Sequence, residues 1–317
     1  MADTNHRCAV LGKPIAHSLS PLLHNAAYRA LGLSDWRYSA HEVDSGHLPA
    51  FMASLDPSWA GLSLTMPLKK TVQTLGTPTG HWATRLKVAN TAILDWPDGA
   101  TTPLVRLYNT DVAGIRLAFE HAWGTDCATH CRDSQDAAAV ILGNGSTAAS
   151  ALAACLSMGG IHRIVVAARH PDAHRGMEEF VAANSSGVSL ETIPLHHVVE
   201  RLGSAEVVIS TLPAHAADPV AARLSESRGQ VGGTLLDVAY DPPPPPPAPS
   251  RHACAPSPPP RPPPPLRPLF PPPRRPLPDR LPHHPAPPAV VRSVAISTPR
   301  SASAPTTPPP VPSRPLS

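Results

Sequence analysis

Six consecutive prolines, Pro242 to Pro247, set the far limit of what this chain can fold. Each lacks an N–H and has its φ fixed at about −65°, so no helix or central strand can start there and the backbone is held in extended polyproline geometry. From Pro242 to Ser317 proline makes up about two-fifths of the residues, Gly and Lys are absent, and Arg is almost the only charged residue. That composition cannot build a core. Residues 242–317 are therefore expected to form a disordered proline-rich tail, and any fold must come from residues 1–241.

Within those residues short apolar runs alternate with helical patterns, as a mostly parallel, covered sheet requires. Strands are expected at Cys8–Leu11, Arg37–Val43, Gly61–Leu64 and Thr91–Leu94, with helices at Pro21–Leu31, around Leu48–Ser54 and after Pro67. A helix over Val112–Trp123 opens a second block. There strands at Ala137–Leu142, Ile161–Ala168, Val207–Ser210 and Thr234–Ala239 alternate with helices at Ala148–Met158 and Met177–Ala183. This is a doubly wound, Rossmann-like nucleotide-binding pattern. The fold class is α/β, with a first domain over residues 1–110 and a second over 111–241, joined near Asn109–Gly114. Trp96–Pro103 reads as a variable turn.

The formal net charge of +3 misleads, because the tail carries nine arginines against Asp279 alone and leaves the folded part mildly acidic. No nucleic-acid surface is expected, and no apolar run is long enough to span a membrane. Five cysteines, an odd number without a Cys-x-x-Cys pair, and the absence of a secretory signal suit a reduced, cytoplasmic setting. Cys127 and Cys131 with His121 and His130 match no common zinc spacing, so no metal is expected.

Four pieces carry chemistry. Gly12 to Asn25 leaves the first strand, turns at Gly12 and Pro14, and enters a helix with Ser20 as its cap and Pro21 as its first residue. Ser18 and Ser20 in this turn either face a polyol ligand or merely cap the helix and close the turn. Gly61-Leu-Ser-Leu-Thr-Met-Pro-Leu-Lys69 leaves another strand and enters a helix at Pro67, placing Thr65 and Lys69 beside the same strand end. A desolvated lysine there can exchange a proton with a substrate oxygen during hydride transfer, although Lys69 also reads as a solvated surface residue. Asp111, in Asn109-Thr-Asp-Val-Ala-Gly114, supplies a carboxylate or caps a helix. The fourth piece is Gly143-Asn144-Gly145-Ser146-Thr147-Ala148, a Gly-x-Gly-x-x-Ala turn between strand and helix that lets a pyrophosphate approach the helix N-terminus. The next strand ends in Arg169 rather than an acid. Arg169 can meet the 2′-phosphate of NADP, or is a solvated charge at a strand end.

Taken in order, these pieces resemble shikimate dehydrogenase over about Arg7 to Asp241. The resemblance rests on Gly12-Lys13-Pro14 with His17-Ser-Leu-Ser-Pro21 and His24-Asn25, on Thr65-Met-Pro-Leu-Lys69, on Ala89-Asn90-Thr91, on Asn109-Thr-Asp111 with Gly114, on the glycine turn, and on Asp237-Val-Ala-Tyr-Asp-Pro242. Ser63 stands where the family has asparagine. The resemblance implies reversible NADPH-dependent reduction of 3-dehydroshikimate to shikimate in aromatic amino-acid (chorismate) biosynthesis, with Lys69 and Asp111 as the catalytic pair. It implies that Ser18, Ser20, Thr65, Asn90 and Asp111 bind the substrate's hydroxyls and carboxylate, and that Tyr240 lies on the substrate rim. Gly143 to Ala148 with Arg169 would hold NADP; the family's second basic residue arrives late here, as Arg175.

After Pro242 the family continues with a glycine-methionine turn and a glutamine-bearing helix that packs back on the first domain, and neither is present. A frameshift near Pro242 explains the tail, since Pro, Arg, Ala, Ser and His without Lys or Gly are what GC-rich DNA gives out of frame. Without those helices the first domain is expected to expose an apolar face, and the chain to show weak or undetectable turnover. The alternatives are a quinate or NAD-using relative, a catalytically impaired binding protein, and a tail that docks a partner through PxxP segments.

Overall fold

The computed structural model describes residues 5–132, 137–171, 176–185, 187–226, 233–239 and 293–294. It contains two sheets. The first is built from β1 (His6–Gly12), β2 (Trp36–Glu42), β3 (Trp59–Leu64), β4 (Thr77–Pro78), β5 (Thr91–Asp95) and β6 (Leu104–Tyr108), in the order β2-β1-β3-β5-β6-β4. β2, β1 and β3 run parallel, as expected, but β3, β5 and β6 pair antiparallel. The turn expected at Trp96–Pro103 joins β5 and β6 as a hairpin. The sequence reading omitted β6, whose first residue, Leu104, is 63% exposed and gives no buried strand pattern.

Helices α1 (Ser20–Ala30), α2 (Leu48–Ala53), α3 (Leu68–Thr71) and α4 (His81–Leu86) connect these strands. Leu11, Leu48, Leu62, Leu68, Val72, Ala92 and Leu107 form the core that fixes the first sheet. α1 contributes nothing fully buried to it: Leu22 is 66% exposed and Leu23 39%. Leu22 and Leu23 thus give α1 an exposed apolar face.

The second block follows α5 (Asp111–Trp123) and α6 (Cys127–Arg132). Its strands are β7 (Ala138–Leu142), β8 (Arg163–Ala168), β9 (Ser189–Pro194), β10 (Val207–Ser210) and β11 (Thr234–Asp237), all parallel, in the order β11-β10-β7-β8-β9. β7 is buried at all five positions, as a central parallel strand covered on both faces must be. Helices α7 (Ser146–Met158), α8 (Gly176–Asn184), α9 (Val199–Leu202) and α10 (Asp218–Glu226) complete the layers. The strand order reverses between β7 and β10, which places a crevice at the carboxyl end of β7. α7 buries Ala148, Ala151, Ala153, Ala154 and Cys155, small side chains that let it lie close to both β7 and α5.

Ser293 and Val294 form a two-residue strand, β12, antiparallel to β11, so the expectation of a wholly unstructured tail is corrected at those two residues. The other residues of 242–317 lie outside the described ones. Cys127, Cys131 and Cys155 are buried thiols within the core around α7. His130 stacks on Trp123 with ring centroids 3.9 Å apart and shares a 2.7 Å hydrogen bond with Glu206. Among the described residues no group of three or more potential metal ligands converges.

Candidate active site

The site is assembled where the carboxyl ends of β1 and β3 meet the amino ends of α5 and α7. Gly12 ends β1 against the loop after β3: a Cβ there would lie 2.9 Å from the Met66 carbonyl oxygen and strike the Thr65 methyl, so only glycine lets the two loops touch. The Lys13 N–H donates to Met66 O (2.9 Å) and the Thr65 N–H to Leu11 O (2.9 Å), holding the Ser18/Ser20 loop beside Thr65. Both loops contain a cis proline, Pro14 and Pro67.

The structure corrects the role expected for Ser20. It is the first residue of α1 rather than its cap, and Leu19 precedes the helix with no side-chain cap bond. The Ser18 hydroxyl accepts the Ser20 N–H at 3.3 Å, so Ser18 closes the turn, as one of its two readings had it, while Ser20 does not cap the helix. Both serines are half-buried. Beside them is a pair that sequence reasoning missed. Tyr38, on β2, is buried, donates its hydroxyl to Ser63 Oγ (2.7 Å) and stacks on His24 at 4.0 Å. Asn25 clamps the Tyr38 backbone from both sides, donating to its carbonyl (2.8 Å) and accepting its N–H (3.0 Å). Burial pushes the Tyr38 phenol up to about 12.

Lys69 is not a solvated surface residue. It sits on the single turn α3, is 9% exposed, and donates to Asp111 Oδ2 at 2.6 Å and to Thr147 Oγ1 at 3.1 Å. Asp111 is the first residue of α5 and does not cap it. Asn109 Oδ1 accepts the N–H of Asp111 (3.1 Å) and of Val112 (3.4 Å), which leaves the Asp111 carboxylate to face the lysine. The other carboxylate oxygen accepts from Asn90 Nδ2 at 2.6 Å. Asn90 is held in turn by three donors to its Oδ1: the Thr110 N–H (2.9 Å), the Thr91 hydroxyl (3.1 Å) and the Thr110 hydroxyl (3.2 Å). Lys69, Asn90 and Asp111, the first and last of them 42 residues apart in sequence, thus form one hydrogen-bonded unit. Thr65, half-buried, begins the turn that leads into α3, with the Leu68 N–H donating to its carbonyl at 2.7 Å.

The glycine turn lies across from this unit. Gly143 has φ +106°, and a Cβ on it would come within 2.5 Å of Thr211 Oγ1, so both conformation and space demand glycine. Gly145 has nothing within 4 Å of where a Cβ would stand. Ser146 and Thr147 begin α7 with free backbone N–H groups, Ala148 is buried beneath them, and Asn144 donates to His170 O at 2.9 Å, tying the turn to the end of β8. Open space over a helix N-terminus suits a pyrophosphate. Arg169, exposed, follows β8 on that side. A cavity of about 180 Å³ beside the turn, lined by Lys70, Arg85, Asn144, Gly145, Met177 and Phe180, does not include Lys69 or Asp111. Tyr240 and Arg175 lie outside the described residues.

Sequence reasoning quoted Asn109 in the motif but gave it no role of its own, and it missed Ser150. The Asn109 amide donates to Ser150 Oγ (3.0 Å) and Val88 O (3.1 Å), tying the start of α5 to α7. Ser150 is wholly buried in an alanine-rich helix, and that one polar residue is the signal that could have found it.

Residues 10–92 match the family model for the shikimate dehydrogenase substrate-binding domain. The chain is 31% identical over 237 residues to an NADP(+) shikimate dehydrogenase of Citrifermentans bemidjiense, covering 74% of this chain and 77% of that protein. A relative of the same description from Methanosarcina acetivorans is 32% identical over 238 residues, covering 74% and 79%. Among solved structures, Mycobacterium tuberculosis shikimate dehydrogenase superposes with a TM-score of 0.57 at 31% identity, covering 75% of this chain and 81% of that one. The Thermus thermophilus enzyme in complex with NADP(H) and shikimate gives 0.58 at 26% identity, covering 75% and 80%. The chain belongs to the shikimate dehydrogenase family.

Proposed function

We propose that this chain binds shikimate and NADP and catalyses, slowly, the reversible NADPH-dependent reduction of 3-dehydroshikimate. The observation that carries the reading is the buried unit of Lys69, Asp111 and Asn90, closed from the opposite side by the glycine turn. NADPH, when bound, supplies the hydride. Lys69 gives a proton to the oxygen that becomes the alkoxide on reduction, and takes one back in the reverse direction. Asp111 holds the ammonium in place and accepts from the substrate hydroxyl. Ser18, Ser20, Thr65 and Asn90 bind the remaining hydroxyls and the carboxylate, with Tyr240 at the rim. Gly143, Asn144, Gly145, Ser146, Thr147 and Ala148 hold the nucleotide phosphates, and Arg169 meets the 2′-phosphate. Residues 1–110 serve as the substrate domain and 111–241 as the nucleotide domain.

Titrating shikimate and NADP+ into this chain and following NADPH absorbance tests the reading. Lys69→Gln is expected to lower the rate by about a hundredfold or more, the range of a lost general acid. Equal rates with quinate, or with NAD+, would instead favour the neighbouring specificities. A second reading, an impaired binding protein, is favoured by α1, which buries none of its residues. It predicts shikimate binding without any turnover. No described helix is long and apolar enough to cross a membrane, and the thiols of Cys127, Cys131 and Cys155 are free, which supports a reducing, cytoplasmic setting.

A further inference from the structure

We infer that Thr147, rather than serving only the nucleotide, is a positioning residue for Lys69 and makes the shikimate site sense the occupied nucleotide turn. The inference rests on the reading just given. Thr147 is the second residue of α7, so its backbone belongs to the N-terminus over which the glycine turn leaves open space. Its side chain points the other way. Thr147 Oγ1 accepts from Lys69 Nζ at 3.1 Å, across 78 residues of sequence and from the second sheet's block into the first.

The geometry of an ammonium group gives that bond its consequence. Lys69 has three N–H donors; Asp111 takes one at 2.6 Å and Thr147 another. Two fixed acceptors stop the group rotating about its Cε–Nζ bond, so the third N–H, which has no protein partner among the described residues, has one direction left. With Asp111 alone the group could swing around that single contact. The lysine and aspartate side chains are 11% and 14% exposed, so water offers little competition for these bonds.

A second contact on the same helix face supports the assignment. One turn on from Thr147, Ser150 binds Asn109, whose side chain accepts the first two N–H groups of α5 and frees Asp111. In a helix otherwise buried through alanines, the two hydroxyls facing the first block thus reach the two sides of the Lys69–Asp111 pair. A phosphate that draws the N-terminus of α7 into place also sets the acceptor that orients Lys69, and the coupling is reciprocal.

Shikimate with NADPH is an unreactive pair, since both are reduced, and its binding can be measured by titration calorimetry without turnover. In the wild-type chain saturating NADPH is expected to tighten shikimate about tenfold, and Thr147→Ser to keep that factor. Thr147→Val, which keeps the shape and removes the hydroxyl, is expected to bring the factor close to one. In steady state it should lower kcat about tenfold with the KM for NADP+ within about threefold, as expected for loss of a hydrogen bond to a charged group. The inference is overturned if the valine variant keeps the wild-type coupling, or if it loses NADPH affinity instead, which would make Thr147 a nucleotide contact only. A wild-type chain that binds no shikimate with or without NADPH overturns the proposed function, and this inference with it.

Discussion

Asn109→Ala is expected to destabilise the chain far more than its partial exposure suggests, because one amide serves four groups at the junction of the two blocks. Its carbonyl oxygen accepts the N–H groups of Asp111 and Val112, and loss of such a cap costs about 1 kcal/mol. Its NH2 donates to the Val88 carbonyl and the Ser150 hydroxyl, residues with no exposed surface at all. Stranding buried polar groups costs about 1–3 kcal/mol. The lower end applies here, because Ser150 keeps a long 3.4 Å contact to Ser146 O. The sum is about 2–3 kcal/mol, a large part of a stability that is of order 5–15 kcal/mol. Urea unfolding followed by tryptophan fluorescence would show a lower midpoint at an unchanged slope. Ser150→Ala removes one of the four contacts and should cost about 1 kcal/mol, and the double variant should fall short of the sum by a similar amount. An Asn109→Ala cost below about 0.5 kcal/mol, or strict additivity with Ser150→Ala, would refute this reading of the junction.

Other consequences follow from the same structure. Tyr38 has a phenol raised by burial from 10.0 to about 12, so the unfolded chain releases this proton first as pH rises. Its contribution is whole below about pH 10 and is lost between 10 and 12, a span worth about 2–3 kcal/mol; Tyr38→Phe should shallow the alkaline limb of a stability–pH curve, and an unchanged limb would count against it. Burial likewise pushes the thiols of Cys127 and Cys155 up to about 12, so neutral-pH alkylation of the native chain should spare both until it unfolds, and rapid labelling would contradict their burial. Leu22→Ser on the uncovered face of α1 should change stability by less than about 0.5 kcal/mol while reducing self-association in sedimentation; a cost of 2 kcal/mol or more would mean that face is covered. Translating the other two frames of the coding DNA beyond Pro242 should reveal a glutamine-bearing amphipathic helix, and its absence from both would sink the frameshift explanation.

The parts of the fold legible in the sequence were those where burial leaves a periodic mark. β1, β7 and β8 are central parallel strands with continuous apolar runs, and the Gly143–Ala148 turn follows one of them directly. Half-buried strands left no such mark: β9, Ser189–Pro194, at the edge of its sheet, alternates weakly and ends in proline, and β6 starts at an exposed leucine. At the site, the motifs supplied Lys69, Asn90 and Asp111, but spacing alone could not say whether Lys69 was solvated or Asp111 a cap. The deciding facts are long-range: Asn109 takes the capping role, and Asn90 and Thr147 close around the pair. Tyr38 escaped notice because a tyrosine in a strand is ordinarily core, and only its bond to Ser63 and its stacking on His24 tie it to β3 and α1.

Shikimate-dependent reduction of NADP+, measured on this chain and on its Lys69→Gln and Asp111→Asn variants, is the most direct test of the central claim. The account predicts a slow signal that needs shikimate and falls about a hundredfold or more in either variant. A signal that survives in Lys69→Gln, or a wild-type chain that neither binds nor oxidises shikimate, would contradict it.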